Sequence, residues 1–94
     1  MKKDIKQRAN HRIKIIEGQI NGLHKMIDNE KYCMDILTQS LAIQKSLSSL
    51  NKLILENHIS THIAHMMSSD NPADHETALE ELMKLYELNN IRAK

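Results

Sequence analysis

Three residues have the types and spacing to hold a soft metal ion: Cys33, His58 and His62. His58 and His62 are four apart, so on a helix their side chains rise from one face. Cys33 falls near that face by helical phase but lies much earlier in the chain. The intervening stretch spans about 37 Å along a straight helix at 1.5 Å per residue, so one copy cannot bring all three to one ion. Two antiparallel copies from different subunits can, with Cys33 from one chain meeting His58 and His62 of the other. One thiolate and two imidazoles suit Cu(I) or Zn(II), with Ni(II) and Co(II) as further alternatives. The plainer reading makes Cys33 a small buried hydrophobe and the histidines polar positions of a long helix. His65, Met66 and Met67 extend the run of soft donors, although a surface histidine and interface methionines describe them more simply. His11, His24 and His75 have no evident partner set, and His11 sits among basic residues.

No enzyme constellation accompanies these residues. There is no glycine-rich phosphate loop and no His-Glu-x-x-His. A nucleophilic pair of Cys33 with a histidine would need a cleft and an orienting residue, and a short helical chain offers little room for either. The expectation is therefore a protein that is not an enzyme.

The elements that must position the donors are all helical. A first helix is predicted over about 4–28. Its apolar residues Ile5, Ala9, Ile13, Ile16, Ile20, Leu23 and Ile27 recur in steps of three and four. Gly18 and Gly22 lie inside it. Asp28 to Lys31 reads as a short connection. A second helix is predicted over about 31–67, with Cys33, Leu37, Leu41, Leu47, Leu50 and Ile54 near one face and Ile36, Ile43, Leu53 and Ile63 broadening it. Its length favours bundle or coiled-coil-like packing. Ser68 to Pro72 is the clearest break. A third helix is predicted over about 74–89, with Ala78, Leu79, Leu82, Leu85 and Tyr86 on its apolar side. The tail from Asn90 to Lys94 reads as a frayed end. The predicted fold is all-α: one domain over 1–94, a three-helix protomer with two long antiparallel helices and a short third.

The chain has 94 residues and a formal net charge of +1. The small total hides an uneven distribution. Lys2, Lys3, Lys6, Arg8, Arg12 and Lys14 outnumber Asp4 in the first fourteen residues, and acidic side chains dominate afterwards. A basic arm of this kind suits phosphate backbones, and a symmetric oligomer would repeat it. A solubilising terminus is the plainer reading. One cysteine excludes a disulfide-stapled secreted fold. Absence of a long apolar run excludes a spanning helix, and the start of the chain does not read as a signal peptide. A cytoplasmic protein is expected. So short a chain with long amphipathic helices should need partners to cover its open faces. The helix after the break is acidic, so DNA binding would use the first helix rather than a helix-turn-helix.

Residues 12–23 (RIKIIEGQINGL), Met26-Ile27, residues 32–39 (YCMDILTQ) and residues 53–63 (LILENHISTHI) together resemble the copper-sensitive operon repressor family. That family also contains nickel/cobalt-, formaldehyde- and persulfide-responsive repressors. The resemblance covers about residues 5–67 well and the third helix more loosely. It implies an all-helical homodimer that pairs into a homotetramer and binds double-stranded operator DNA without a helix-turn-helix. It also implies that an inducer bound between subunits weakens the hold on DNA. The copper ligands of the family fall on Cys33, His58 and His62, where His62 stands in place of a common cysteine. The nickel/cobalt branch uses a histidine near the third residue, and here that region is Met1-Lys2-Lys3. The persulfide branch uses two cysteines, and only Cys33 is present. The formaldehyde branch uses an N-terminal proline, and Lys2 occupies that place. Cu(I) is the inducer that survives, with Zn(II), Ni(II)/Co(II) or an electrophile or sulfur species at Cys33 as the alternatives.

The resemblance further implies a tyrosine and a third-helix glutamate that couple to the ligand histidine. Tyr32 matches the tyrosine, and Glu80 or Glu81 supplies the glutamate. Arg12 matches a basic DNA-contacting position. A second family arginine falls on Gln44, with Lys45 beside it, and Lys3, Lys6, Arg8 and Lys14 would compensate electrostatically. A helical interaction protein that binds no DNA is the reading from a different functional class.

Overall fold

The computed structural model describes residues 1–90. Every regular element among them is helical: α1 (Lys3–Asp28), α2 (Cys33–His58), a π-helical turn (Ile59–Ile63), α3 (Ala64–Ser68) and α4 (Pro72–Asn90). Among the described residues no helix is long and apolar enough to cross a membrane. The sequence reading of the tail from Ile91 onward lies outside the described residues. The chain divides into two compact units, Met1–Asn57 and the residues from His58 onward.

In the first unit α1 and α2 form an antiparallel pair. Arg12 of α1 donates to the Ser49 carbonyl of α2 at 2.9 Å, and Gln39 donates through Nε2 to the Gln19 carbonyl at 3.0 Å. The partners thus descend along α2 as they ascend along α1. Ile16, Ile43 and Leu53 are buried. The apolar stripe read along α1 splits in two. Ile5, Ala9 and Leu23 are half-buried beside buried Ile16, whereas Ile13, Ile20 and Ile27 recur every seven residues and are exposed. A similar division occurs on α2: the residues expected only to broaden its face include buried Ile43 and Leu53, while Leu37, Leu41 and Leu47 of the expected stripe face solvent. One neighbouring helix covers one line of side chains, and each of these helices carries more apolar surface than that.

The connection between α1 and α2 works without glycine. The amide of Lys31 reaches the Met26 carbonyl and that of Glu30 the Ile27 carbonyl. This is a Schellman closure, and Glu30 takes the left-handed conformation it requires, at φ 50°. The Tyr32 carbonyl then accepts from the amides of Asp35 and Ile36, so α2 starts at Cys33 rather than at Lys31.

The helix predicted over about 31–67 is observed as α2, the π turn and α3 in direct succession. The Ala64 amide reaches back five residues to the Ile59 carbonyl, which marks the π turn. Helical structure then stops at Ser68. The Asn71 side chain accepts from the Ala73 amide at 3.0 Å, and Pro72 follows this cap as the first helical residue. That pairing starts α4 two residues earlier than predicted. His75 donates through Nε2 to the Ser69 carbonyl and ties the first turn of α4 to the bend before it. α3 packs against α4. Ile63 and Ala78 are buried in this unit, and Ala78 is completely inaccessible.

Candidate metal centre

The π turn and α4 bring the expected histidines together with one acidic residue. His58 ends α2 and His62 lies in the π turn. Their ring centroids are 5.1 Å apart, with planes inclined by 35°. His58 Nε2 lies 3.0 Å from Glu81 Oε1 of α4. A carboxylate only accepts hydrogen bonds, so Nε2 carries the proton and donates. In the neutral ring this leaves Nδ1 with its lone pair free for a ligand. The His58 side chain is 30% exposed and that of Glu81 37% exposed. Both therefore sit at the wall of an open pocket of about 550 Å³ lined by His58, Thr61, His62, His65, Met66 and Glu81.

The structure distinguishes the two candidate glutamates. Glu81 holds His58, whereas Glu80 is exposed. The burial pattern of α4 accounts for this: Glu81 lies three residues after buried Ala78 and four before half-buried Leu85, while Glu80 lies off that side of the helix. Thr61 is a pocket residue that the sequence reading did not single out; it is three residues beyond His58. His65 and Met66 line the same pocket.

Cys33 is the first residue of α2 and is exposed. Tyr32 immediately before it is 71% exposed and supplies its carbonyl to the start of α2. Among the described residues of one chain, no three His, Cys, Asp or Glu side chains converge to hold a metal ion. Beside Cys33, Met34, Leu37 and Leu41 form an exposed apolar strip, with steps of three and four residues.

The basic residues occupy two sides of α1. At about 100° per residue, Lys3, Lys6 and Lys14 lie on the outer side and Arg8 and Arg12 on another. The three lysines are exposed. Arg8 is exposed and makes a long ion pair with Asp4 at 4.0 Å. Arg12 is half-buried, and its Nη1 donates both to the Ser49 carbonyl and to the Ser49 hydroxyl. Gln7, Arg8, His11 and Arg12 line a shallow recess of about 310 Å³. Lys45 and Gln44 of α2 are exposed.

A family model described as metal-sensitive transcriptional repressor matches residues 5–87. The copper-sensing transcriptional repressor CsoR of Bacillus subtilis (strain 168) is 35% identical over 81 residues, which is 86% of this chain and 77% of that protein. CsoR of Mycobacterium tuberculosis (strain ATCC 25618 / H37Rv) is 36% identical over 56 residues, and the match spans 47% of its length. A crystal structure of the copper-sensing repressor CsoR with Cu(I) from Geobacillus thermodenitrificans NG80-2 matches with a TM-score of 0.83 at 33% identity. That match covers 94% of this chain and 88% of the other. With the family pattern running through both helical units and the fold shared over nearly its whole length, the chain belongs to the metal-sensitive transcriptional repressors.

Proposed function

We propose that this protein is a Cu(I)-sensing repressor that releases operator DNA when copper binds between subunits. The observation that carries this reading is the pairing of His58 with His62 on one pocket wall, with His58 Nε2 held by Glu81. Similarity to copper-sensing repressors supports the choice of metal. The residues fit a soft ion: His58 offers Nδ1, His62 a second imidazole, and Cys33 of the partner subunit a thiolate. Bound Cu(I) supplies a soft centre that fixes these three donors relative to one another.

The protein's own part is to link that site to the helices. Glu81 orients the His58 ring and keeps its proton on Nε2. Because Glu81 belongs to α4, fixing the ring also fixes this helix. Tyr32 adjoins Cys33 and is placed to couple the thiolate end of the site. A second copy of the chain covers the exposed strip of Met34, Leu37 and Leu41, and with it the side of α2 that bears Cys33. Two such pairs form a tetramer that repeats the basic arm. Lys3, Lys6, Arg8, Lys14 and Lys45 contact phosphates through charge, whereas Arg12 contacts DNA from a position set by Ser49.

Anaerobic fluorescence anisotropy on the protein's own upstream DNA, titrated with buffered Cu(I), tests this reading. Weaker DNA binding at one ion per chain is the expected result. Tight DNA binding that ignores Cu(I) would refute the inducer. Failure to bind any upstream fragment at low salt would refute the DNA-binding role.

A further inference from the structure

Two donors in the histidine pocket have no part in the proposed site. His65 and Met66, at the start of α3, line the pocket together with His58 and His62. We propose that His62, His65 and Met66 form an outer soft-metal position, through which Cu(I) passes on its way to His58 and Cys33. The inner destination rests on the function proposed above; the outer position rests on the pocket itself.

Spacing and exposure support this arrangement. His65 and Met66 follow His62 by three and four residues and line the same pocket as His62. His62 and His65 are exposed, Met66 is half-buried, and the His58 side chain is only 30% exposed. His62 and His65 thus face solvent, whereas Met66 and His58 are both half-buried. Their chemistry differs from that of the inner set. Two imidazoles and a thioether are all neutral, and the thioether selects for Cu(I) over harder ions. The unbranched methionine side chain adapts its position at little cost. Without a thiolate, the outer set should hold the ion more weakly than the inner one.

His62 belongs to both positions, so the transfer is a ligand exchange. His65 and Met66 leave as His58 Nδ1 and the partner subunit's Cys33 bind, while His62 stays attached. Copper remains Cu(I) throughout, and the only proton released is that of the Cys33 thiol as it becomes a ligand.

The test uses the full chain with Cys33→Ala, titrated anaerobically with Cu(I) and followed by NMR of the histidine ring and methionine methyl signals. The expected result is saturating shifts at His62, His65 and Met66, lost when His65→Gln and Met66→Leu are added. Shifts confined to His58 and His62, or shifts unaffected by the two added substitutions, would overturn the outer position. A second measurement follows loading of the protein with Cys33 intact by its copper–thiolate absorption in a stopped-flow instrument. There, His65→Gln with Met66→Leu should slow loading and leave final occupancy unchanged; an unchanged rate would overturn the transfer role. Outer shifts in the Cys33→Ala protein without any copper–thiolate signal in the intact one would refute the inner site and leave the outer one standing.

Discussion

Replacing Glu81 by Ala removes the carboxylate to which Nε2 of the proposed ligand His58 donates. The hydrogen bond is 3.0 Å long, and its two side chains are 30% and 37% exposed. A hydrogen bond to a charged group contributes about 1.5–3 kcal/mol when well buried. Solvent screening at this exposure reduces that to about 1 kcal/mol. The same bond also selects the tautomer that leaves Nδ1 free, and loss of such a partner typically lowers metal affinity by about 10–100-fold. The partial exposure places Glu81→Ala near the lower end, at roughly a tenfold loss of Cu(I) affinity. A second effect should accompany the first. The ratio of DNA affinities without and with saturating Cu(I) measures the coupling, which in allosteric proteins is commonly about 5–150-fold. With α4 no longer tied to the His58 ring, that ratio should shrink toward one. Competition with a Cu(I) chelator gives the affinity, and anisotropy on operator DNA gives the ratio. Glu81→Gln should be intermediate, because its amide oxygen still accepts from Nε2. Glu80→Ala should change neither quantity. A Glu81→Ala protein with both copper affinity and coupling intact would refute the linkage through His58.

Other substitutions probe separate parts of the chain. Tyr32→Phe should keep folding and Cu(I) affinity while reducing the effect of copper on DNA binding, since the side chain is exposed beside Cys33; equal coupling in the two proteins would rule out a role for its hydroxyl. Glu30→Gly should stabilise the protein to heat by about 0.5–1 kcal/mol, because glycine takes the left-handed conformation of this turn without steric cost. Gly18→Ala should stabilise by about 1 kcal/mol, since an added Cβ meets nothing within 4 Å beyond its own stretch of helix. A loss of stability there would reveal a second chain packed against this position. Arg12→Ala should weaken DNA binding and reduce the slope of its salt dependence by about 1, while Ser49→Ala, which removes the hydroxyl acceptor of Arg12 and keeps the carbonyl, weakens binding less and retains the slope. Matching slopes for the Arg12→Ala and unsubstituted proteins would exclude a phosphate contact by Arg12.

Much of this protein can be read from residue order because helices are local structures. The three-and-four spacing of Ile5, Ala9, Ile13, Ile16, Ile20, Leu23 and Ile27 specifies α1, and Ser68 to Pro72 marks the break before α4, since each acts within a few residues of itself. The same locality makes His58 and His62 neighbours on one face. Other features depend on what comes near. The exposed Ile13, Ile20 and Ile27 carry the same apolar signal as buried Ile16, and only the placement of α2 separates them. The π turn gives no compositional warning, because its backbone bonds differ from those of an α-helix while its residue types do not. Glu80 and Glu81 are chemically identical neighbours, and the packing of α4 decides which reaches His58. Sequence alone therefore determined the helices, the donor types and the family pattern through spacing within single elements. Tertiary structure decided which apolar faces are covered and which glutamate holds the histidine, because those outcomes depend on contacts between elements distant in the chain.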